Sequence, residues 1–165
     1  MRDQLLIDLR AWDAATGAAD VDPMCETGGV LLGWRHDTGV YVSDILVVPD
    51  SRAKHTFYRR RHKPATRLLG AALADLPDGS PIGYVGEWHT HPAPTGPSWI
   101  DRREIRRISK RTKEAIGLLV CAYDAGSRSW LPTGLVARNG RSTRAAVQLR
   151  NNDGNQQPGD GGDSR

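Results

Sequence analysis

Gly83-Tyr84-Val85-Gly86-Glu87-Trp88-His89-Thr90-His91-Pro92 is the stretch on which the fold turns. The run from Ile82 is apolar and aromatic and reads as a strand, while Pro92-Ala93-Pro94-Thr95-Gly96-Pro97 cannot continue it and must be a stiff loop. Ser98 then opens a helix that reaches about Lys113. The helix start is expected to fold back over the strand end. Side chains at i and i+2 share one face of a strand, so His89 and His91 present two imidazoles side by side. Asp101, one turn into the helix, can add a carboxylate. Two histidines, a carboxylate and an open fourth position are what a catalytic zinc uses, and the metal lowers the pKa of water in that position to about 7.

Each part has an ordinary reading as well. Two histidines on one strand face are often just partly buried polar residues. Ser98-x-x-Asp101 resembles a helix N-cap with an acid at its third position, close to a capping box, which by itself would explain both residues. The two roles are compatible, because a capped helix start is a rigid mount for a ligand. The water would also need a base to take its proton. Glu26, in Cys25-Glu26-Thr27-Gly28-Gly29 ahead of a core strand, is one candidate. Glu87, on the strand face of His89 and His91, is the other, and the residues alone leave both open.

Outward from this segment the pattern is mixed. Leu5, Leu9 and Trp12 recur at helical spacing and predict a first helix, with a strand over residues 5–9 as the alternative. Val30 to Trp34 and Val40 to Val48 predict a hairpin about the turn His36-Asp37-Thr38-Gly39. Pro64 suits the first turn of a helix with the stripe Leu68, Leu69, Ala72, Leu73 and Leu76, ended by Pro77-Asp78-Gly79. Residues 115–123 and 129–137 are two further strands. The sum is an α+β fold, a sheet of about five or six strands with two or three helices.

Composition sets the outer bounds. A chain of 165 residues with 38% hydrophobic and 25% charged residues is an ordinary single globular domain. We expect it over residues 1–149, with residues 150–165, which are polar and rich in Asn, Gly, Asp and Gln, as a disordered tail. No run of about 18 apolar residues and no secretion signal is present, so no membrane association is expected. Cys25 and Cys121 are far apart and predict free thiols in a reduced, cytoplasmic setting. The net charge is +4, with the excess in Arg59-Arg60-Arg61-His62-Lys63 and between Arg102 and Lys113, which holds seven Lys or Arg against Glu104. Arg102, Arg103, Arg106, Arg107, Lys110 and Lys113 fall on one side of that helix, and Ile100, Ile105, Ile108, Thr112 and Ile116 are expected roughly opposite, toward the core. The ordinary reading is a solvated helix face; the functional one is an acidic partner. No aromatic residues interleave with these charges, which gives little support to nucleic-acid binding.

Taken together, Glu26, His89-Thr90-His91-Pro92 and Ser98-x-x-Asp101 resemble the signature of the JAMM (JAB/MPN+) zinc metallopeptidases. Glu26-Thr27-Gly28-Gly29-Val30-Leu31-Leu32-Gly33 is similar to the family's Glu-bearing segment, and the likeness covers about Cys25 to Tyr123. One departure is the loop of six residues, Pro92 to Pro97, where many members have seven. The resemblance implies a cytidine-deaminase-like sheet, Zn2+ held by His89, His91 and Asp101, Glu26 as general acid/base, and Ser98 stabilising an oxyanion. It further implies cleavage of the amide bond after the C-terminus of a ubiquitin-like or similarly conjugated protein. The wording from Gly83 to Pro92 looks most like the stand-alone bacterial branch, which includes deconjugating peptidases of CBASS anti-phage operons. A non-catalytic MPN-type binding module and a basic nucleic-acid-associated metal hydrolase are the alternatives.

Overall fold

The structure, a computed structural model, describes residues 2–49 and 62–151. In chain order, the described residues form β1 (Gln4–Asp8), α1 (Leu9–Ala19), β2 (Gly28–His36), β3 (Gly39–Val47), α2 (His62–Ala74), β4 (Gly83–His91), α3 (Trp99–Thr112), β5 (Ile116–Asp124), β6 (Ser129–Arg138), β7 (Arg141–Arg144) and β8 (Ala146–Arg150). They build one mixed sheet of eight strands in the order β7-β6-β5-β4-β2-β3-β1-β8. β1 is parallel to both β3 and β8, and β4 is parallel to β5; the other neighbours are antiparallel.

The α+β class and the three helices agree with expectation, but eight strands exceed the five or six read from the pattern. Residues 5–9 divide between the two readings. β1 takes Leu5 to Asp8, and the Asp8 carboxylate caps α1 by accepting the Arg10 N–H at 2.8 Å. Tertiary pairing overrides helical spacing here, because β1 is held between two strands and buries Leu5 and Ile7. β7 was missed because Arg-Ser-Thr-Arg has no apolar periodicity, as suits a charged edge strand. The basic run Arg59-Arg60-Arg61 lies outside the described residues, as does the expected tail beyond residue 151.

Helices cover both faces of the sheet. On one side Ala11, Trp12 and Ala15 of α1 pack with Leu5, Val40, Val42, Leu31, Trp88, Leu119 and Val136. On the other, Ala65, Leu69, Ala72 and Leu73 of α2 cover Val30, Leu32 and Val48, while Ile105 and Ile108 of α3 cover Ile116, Leu118, Val120 and Leu135. Each such buried aliphatic side chain stabilises the fold by about 1.5–3 kcal/mol. Ile100 departs from expectation and is 44% exposed. It precedes Ile105 by five residues, about 140° around the helix, so the two cannot share a face.

A pair of bulges decides which face carries what. The β2–β4 register shifts between Leu31 and Leu32, and the β2–β3 register between Leu32 and Gly33. Across the first shift the alternation of β4 reverses. Val85 and Trp88, three apart, share the α1 side, whereas Tyr84 lies on the other and its hydroxyl donates to Glu87 Oε1 at 3.4 Å. Glu87, His89 and His91 therefore face the side covered by α2 and α3. Gly86 makes the bulge sterically possible, since a Cβ there would sit 1.9 Å from the Gly117 carbonyl oxygen.

Candidate metal centre

β4 ends and α3 begins around a single point. Thr90 is buried between the two histidines, so the imidazoles of His89 and His91 project together on the opposite face. Their Nε2 atoms are 3.1 Å apart. Asp101 brings Oδ1 to 3.2 Å from His89 Nε2 and Oδ2 to 3.7 Å from His91 Nε2. All three side chains are 13–14% exposed, enough to admit a small molecule to a mostly desolvated site. Among the described residues these three form the group whose metal-capable atoms all lie within 4.8 Å of one another.

The spacing can be tested against an ion. Bonds of about 2.0 Å in a tetrahedron place ligand atoms about 3.3 Å apart. The His89–His91 distance of 3.1 Å and the His89–Asp101 Oδ1 distance of 3.2 Å match two such edges, while Asp101 approaches His91 through its other oxygen, Oδ2, at 3.7 Å. The fourth corner belongs to no residue of the group. The donor set of two imidazoles and one carboxylate can therefore hold a divalent ion with a position left open.

Neighbouring groups fix the orientation of these donors. His91 Nδ1 lies 3.2 Å from the Thr95 carbonyl oxygen and 3.3 Å from its hydroxyl. A proton on Nδ1 donated to that carbonyl leaves Nε2 with its lone pair toward the centre, the tautomer a metal requires. Thr95 was not singled out from the sequence; its signal was a lone polar side chain in a Pro-rich loop four residues past a histidine. Burial lowers the pKa of His91, and the nearby His89 lowers it further, against the opposing influence of Thr95 and Asp101. Burial by itself would raise Asp101, but the hydrogen bond and charge of His89 and the two Ser98 contacts outweigh it and hold the carboxyl at about 2.

Both readings of Ser98-x-x-Asp101 hold at once. The Ser98 N–H donates to Asp101 Oδ2 at 2.6 Å and Ser98 Oγ accepts the Asp101 N–H at 3.2 Å, a complete capping box. The remaining oxygen, Oδ1, faces His89. Accepting a hydrogen bond leaves the Ser98 hydroxyl its own hydrogen to donate.

The segment just ahead of β2 is tied to the end of β4. Gly28 pairs with His89, the Thr90 N–H donates to the Thr27 carbonyl at 2.8 Å, and the Thr27 N–H donates to Thr90 Oγ1 at 2.9 Å. These contacts bring the segment that carries Glu26 to the end of β4 that carries His89 and His91. Glu87 shares the face of the two histidines farther back along β4, where it accepts from Tyr84. Cys121 is fully buried and burial pushes its thiol pKa up; neither it nor the partly buried Cys25 is in a disulfide.

Comparison with known proteins gives the family. A family model described as prokaryotic homologs of the JAB domain matches residues 10–131, a span that includes Glu26, His89, His91, Ser98 and Asp101. A CD-NTase/cGAS isopeptidase from Pseudomonas aeruginosa (strain BWHPSA011 / Pa011) is 34% identical over 100 residues, 59% of this chain. The match spans 60% of that relative's own length. The solution structure of protein DSY2949 from Desulfitobacterium hafniense superposes with a TM-score of 0.61 over 90% of this chain and 94% of that one, at 15% identity. This last likeness is one of fold.

Proposed function

The chain belongs to the family of prokaryotic homologs of the JAB domain, and from that membership and the site geometry we propose that it is a zinc-dependent isopeptidase. The reading rests on one observation above all, that His89, His91 and Asp101 each offer a ligand atom within 4.8 Å of the other two. Two imidazoles, a carboxylate and an open corner are the donor set of catalytic rather than structural zinc. His89, His91 and Asp101 would hold the ion. When bound, it supplies Lewis acidity toward a carbonyl and toward water.

The chain's own groups do the rest. Glu26, carried by the segment that leads into β2, accepts a proton from the attacking water and returns it to the leaving amine, so the C–N bond breaks as a C–O bond forms. The Ser98 hydroxyl donates toward the oxyanion that develops on the scissile carbonyl. The capping box fixes Ser98 and Asp101 relative to each other, so donor and ligand move as one unit.

The substrate class is a protein conjugated through its C-terminus, ubiquitin-like or similar. Support comes from the name of the Pseudomonas relative, a CD-NTase/cGAS isopeptidase, which also favours deconjugation in anti-phage (CBASS) defence. Two cysteines that are not joined in a disulfide favour a cytoplasmic setting. Among the described residues no helix is long and apolar enough to cross a membrane. The assembled ligand set speaks against a purely non-catalytic module.

The test is incubation of the purified chain with ubiquitin-like and nucleotidyltransferase fusions, with and without a chelator, read by intact mass. One discrete cut after the fused C-terminus, abolished by chelator and restored by zinc, is expected. A cut that persists in chelator, or none with any fusion, would count against the reading.

A further inference from the structure

The helix that carries Ser98 and Asp101 turns an unusual face to solvent. α3 is capped at both ends and about 20 Å long. Ile105, Ile108 and Ser109 are its buried residues. At about 100° per residue, the half turned away from them carries Trp99, Ile100, Arg103, Arg107, Lys110 and Arg111. Trp99 is 68% exposed and Ile100 44% exposed, and both stand within two residues of Asp101. Arg103 lies over the Trp99 ring at 5.5 Å from its centroid. The adjoining β7 adds the exposed Arg144, on the α3 side of the sheet through its pairing with Leu135, and is tied to the helix by Arg106 Nε donating to Ser142 Oγ at 2.9 Å. Among the described residues, the Arg107–Glu104 pair is the ion pair on this face. The surface thus begins apolar beside the metal centre and continues strongly basic away from it.

We propose that this face of α3, extended by β7, is the docking surface for the body of the conjugated protein, and that the complementary surface is acidic with an apolar side chain that meets Trp99 and Ile100. The proposal rests on the isopeptidase reading for the identity of the occupant. Continuity carries it: the exposed Trp99 and Ile100 stand between Ser98 and Asp101 at the start of α3, so protein attached to a carbonyl held at His89, His91 and Asp101 lies within reach of them. Unpaired charge there accelerates encounter with an acidic partner and rejects basic ones. A protein partner is favoured over a nucleic acid because a phosphate backbone gains nothing from an exposed Ile100.

Equilibrium binding tests this without any cleavage. Fluorescence anisotropy would follow a labelled 20-residue peptide of Glu and Leu, and a 20-nucleotide single-stranded DNA, against the full chain at low and physiological salt. The variants are a triple reversal, Arg103→Glu with Lys110→Glu and Arg111→Glu, and a charge-neutral Trp99→Ala, each checked for native circular dichroism. The peptide is expected to bind, to lose about tenfold or more in affinity in the triple variant, and to lose about threefold in Trp99→Ala. Three results would each overturn the proposal: no peptide binding, peptide affinity indifferent to either change, or DNA bound about tenfold more tightly than the peptide. Since no bond is broken, a chain that hydrolyses nothing but binds as described sinks only the isopeptidase reading, and the converse result sinks only the docking surface.

Discussion

Ser98 carries two duties that substitution can separate. Its hydroxyl caps α3 and is proposed to donate to the developing oxyanion. Ser98→Ala is expected to cost about 1 kcal/mol of stability through the lost cap, and about 10²-fold or more in turnover through the lost donor. Ser98→Asn should restore the stability, since Asn caps as well as Ser, but not the rate. Urea unfolding alongside kcat measurement distinguishes them; equal recovery of both would reduce Ser98 to a cap. Glu26→Gln should lower kcat by about 10³-fold while the metal stays bound. Retained zinc with retained turnover would return the base to another group, with Glu87 first in line. At this scale the sequence was legible where the rule is local. His89 and His91 two apart on a strand, and Asp101 three past an N-cap, follow from spacing alone. The contest between Glu26 and Glu87 was not legible in the sequence: Glu87 shares the strand face of His89 and His91, and only the pairing of Gly28 with His89 brings the segment that carries Glu26 to the same strand end.

Two strands and one helix hold these residues in place, and their contacts are long-range. Thr90 is buried and its hydroxyl is what the Thr27 N–H reaches. Thr90→Val keeps the shape and removes the acceptor, leaving a buried donor unpaired at a cost of about 1–3 kcal/mol. The loss should be felt beyond stability, as the freed segment is the one that carries Glu26. Chemical denaturation and kcat together check this; a variant destabilised but fully active would show that Glu26 is held by other means. Gly86→Ala drives a Cβ into the Gly117 carbonyl, so about 3 kcal/mol or more of destabilisation is expected, measured by thermal unfolding. The bulge there was invisible in the pattern, because a glycine inside a strand signals a bulge without saying which way the faces exchange. β7 and β8 escaped for a related reason. Their pairing is decided by neighbours rather than by their own apolar content.

Across the whole molecule, fold and metal are separable. α3 is secured by Ile105 and Ile108 in the core and by its caps, and β4 lies mid-sheet between β2 and β5. Neither element needs an ion to form. Stripping the metal should therefore abolish hydrolysis but leave the far-ultraviolet circular dichroism unchanged. Binding at a free concentration about 100 times Kd adds about 2.7 kcal/mol, so chelation should lower Tm by roughly 5–10 °C for a domain of this size. Wholesale unfolding in chelator would make the ion structural. The most direct test of the account is the zinc content, by elemental analysis, of protein purified without chelator as wild type, Glu26→Gln, His91→Ala and Asp101→Ala. About one equivalent is predicted in the first two and close to none in the last two. Zinc absent from the wild type, or retained in full by both ligand variants, would contradict it.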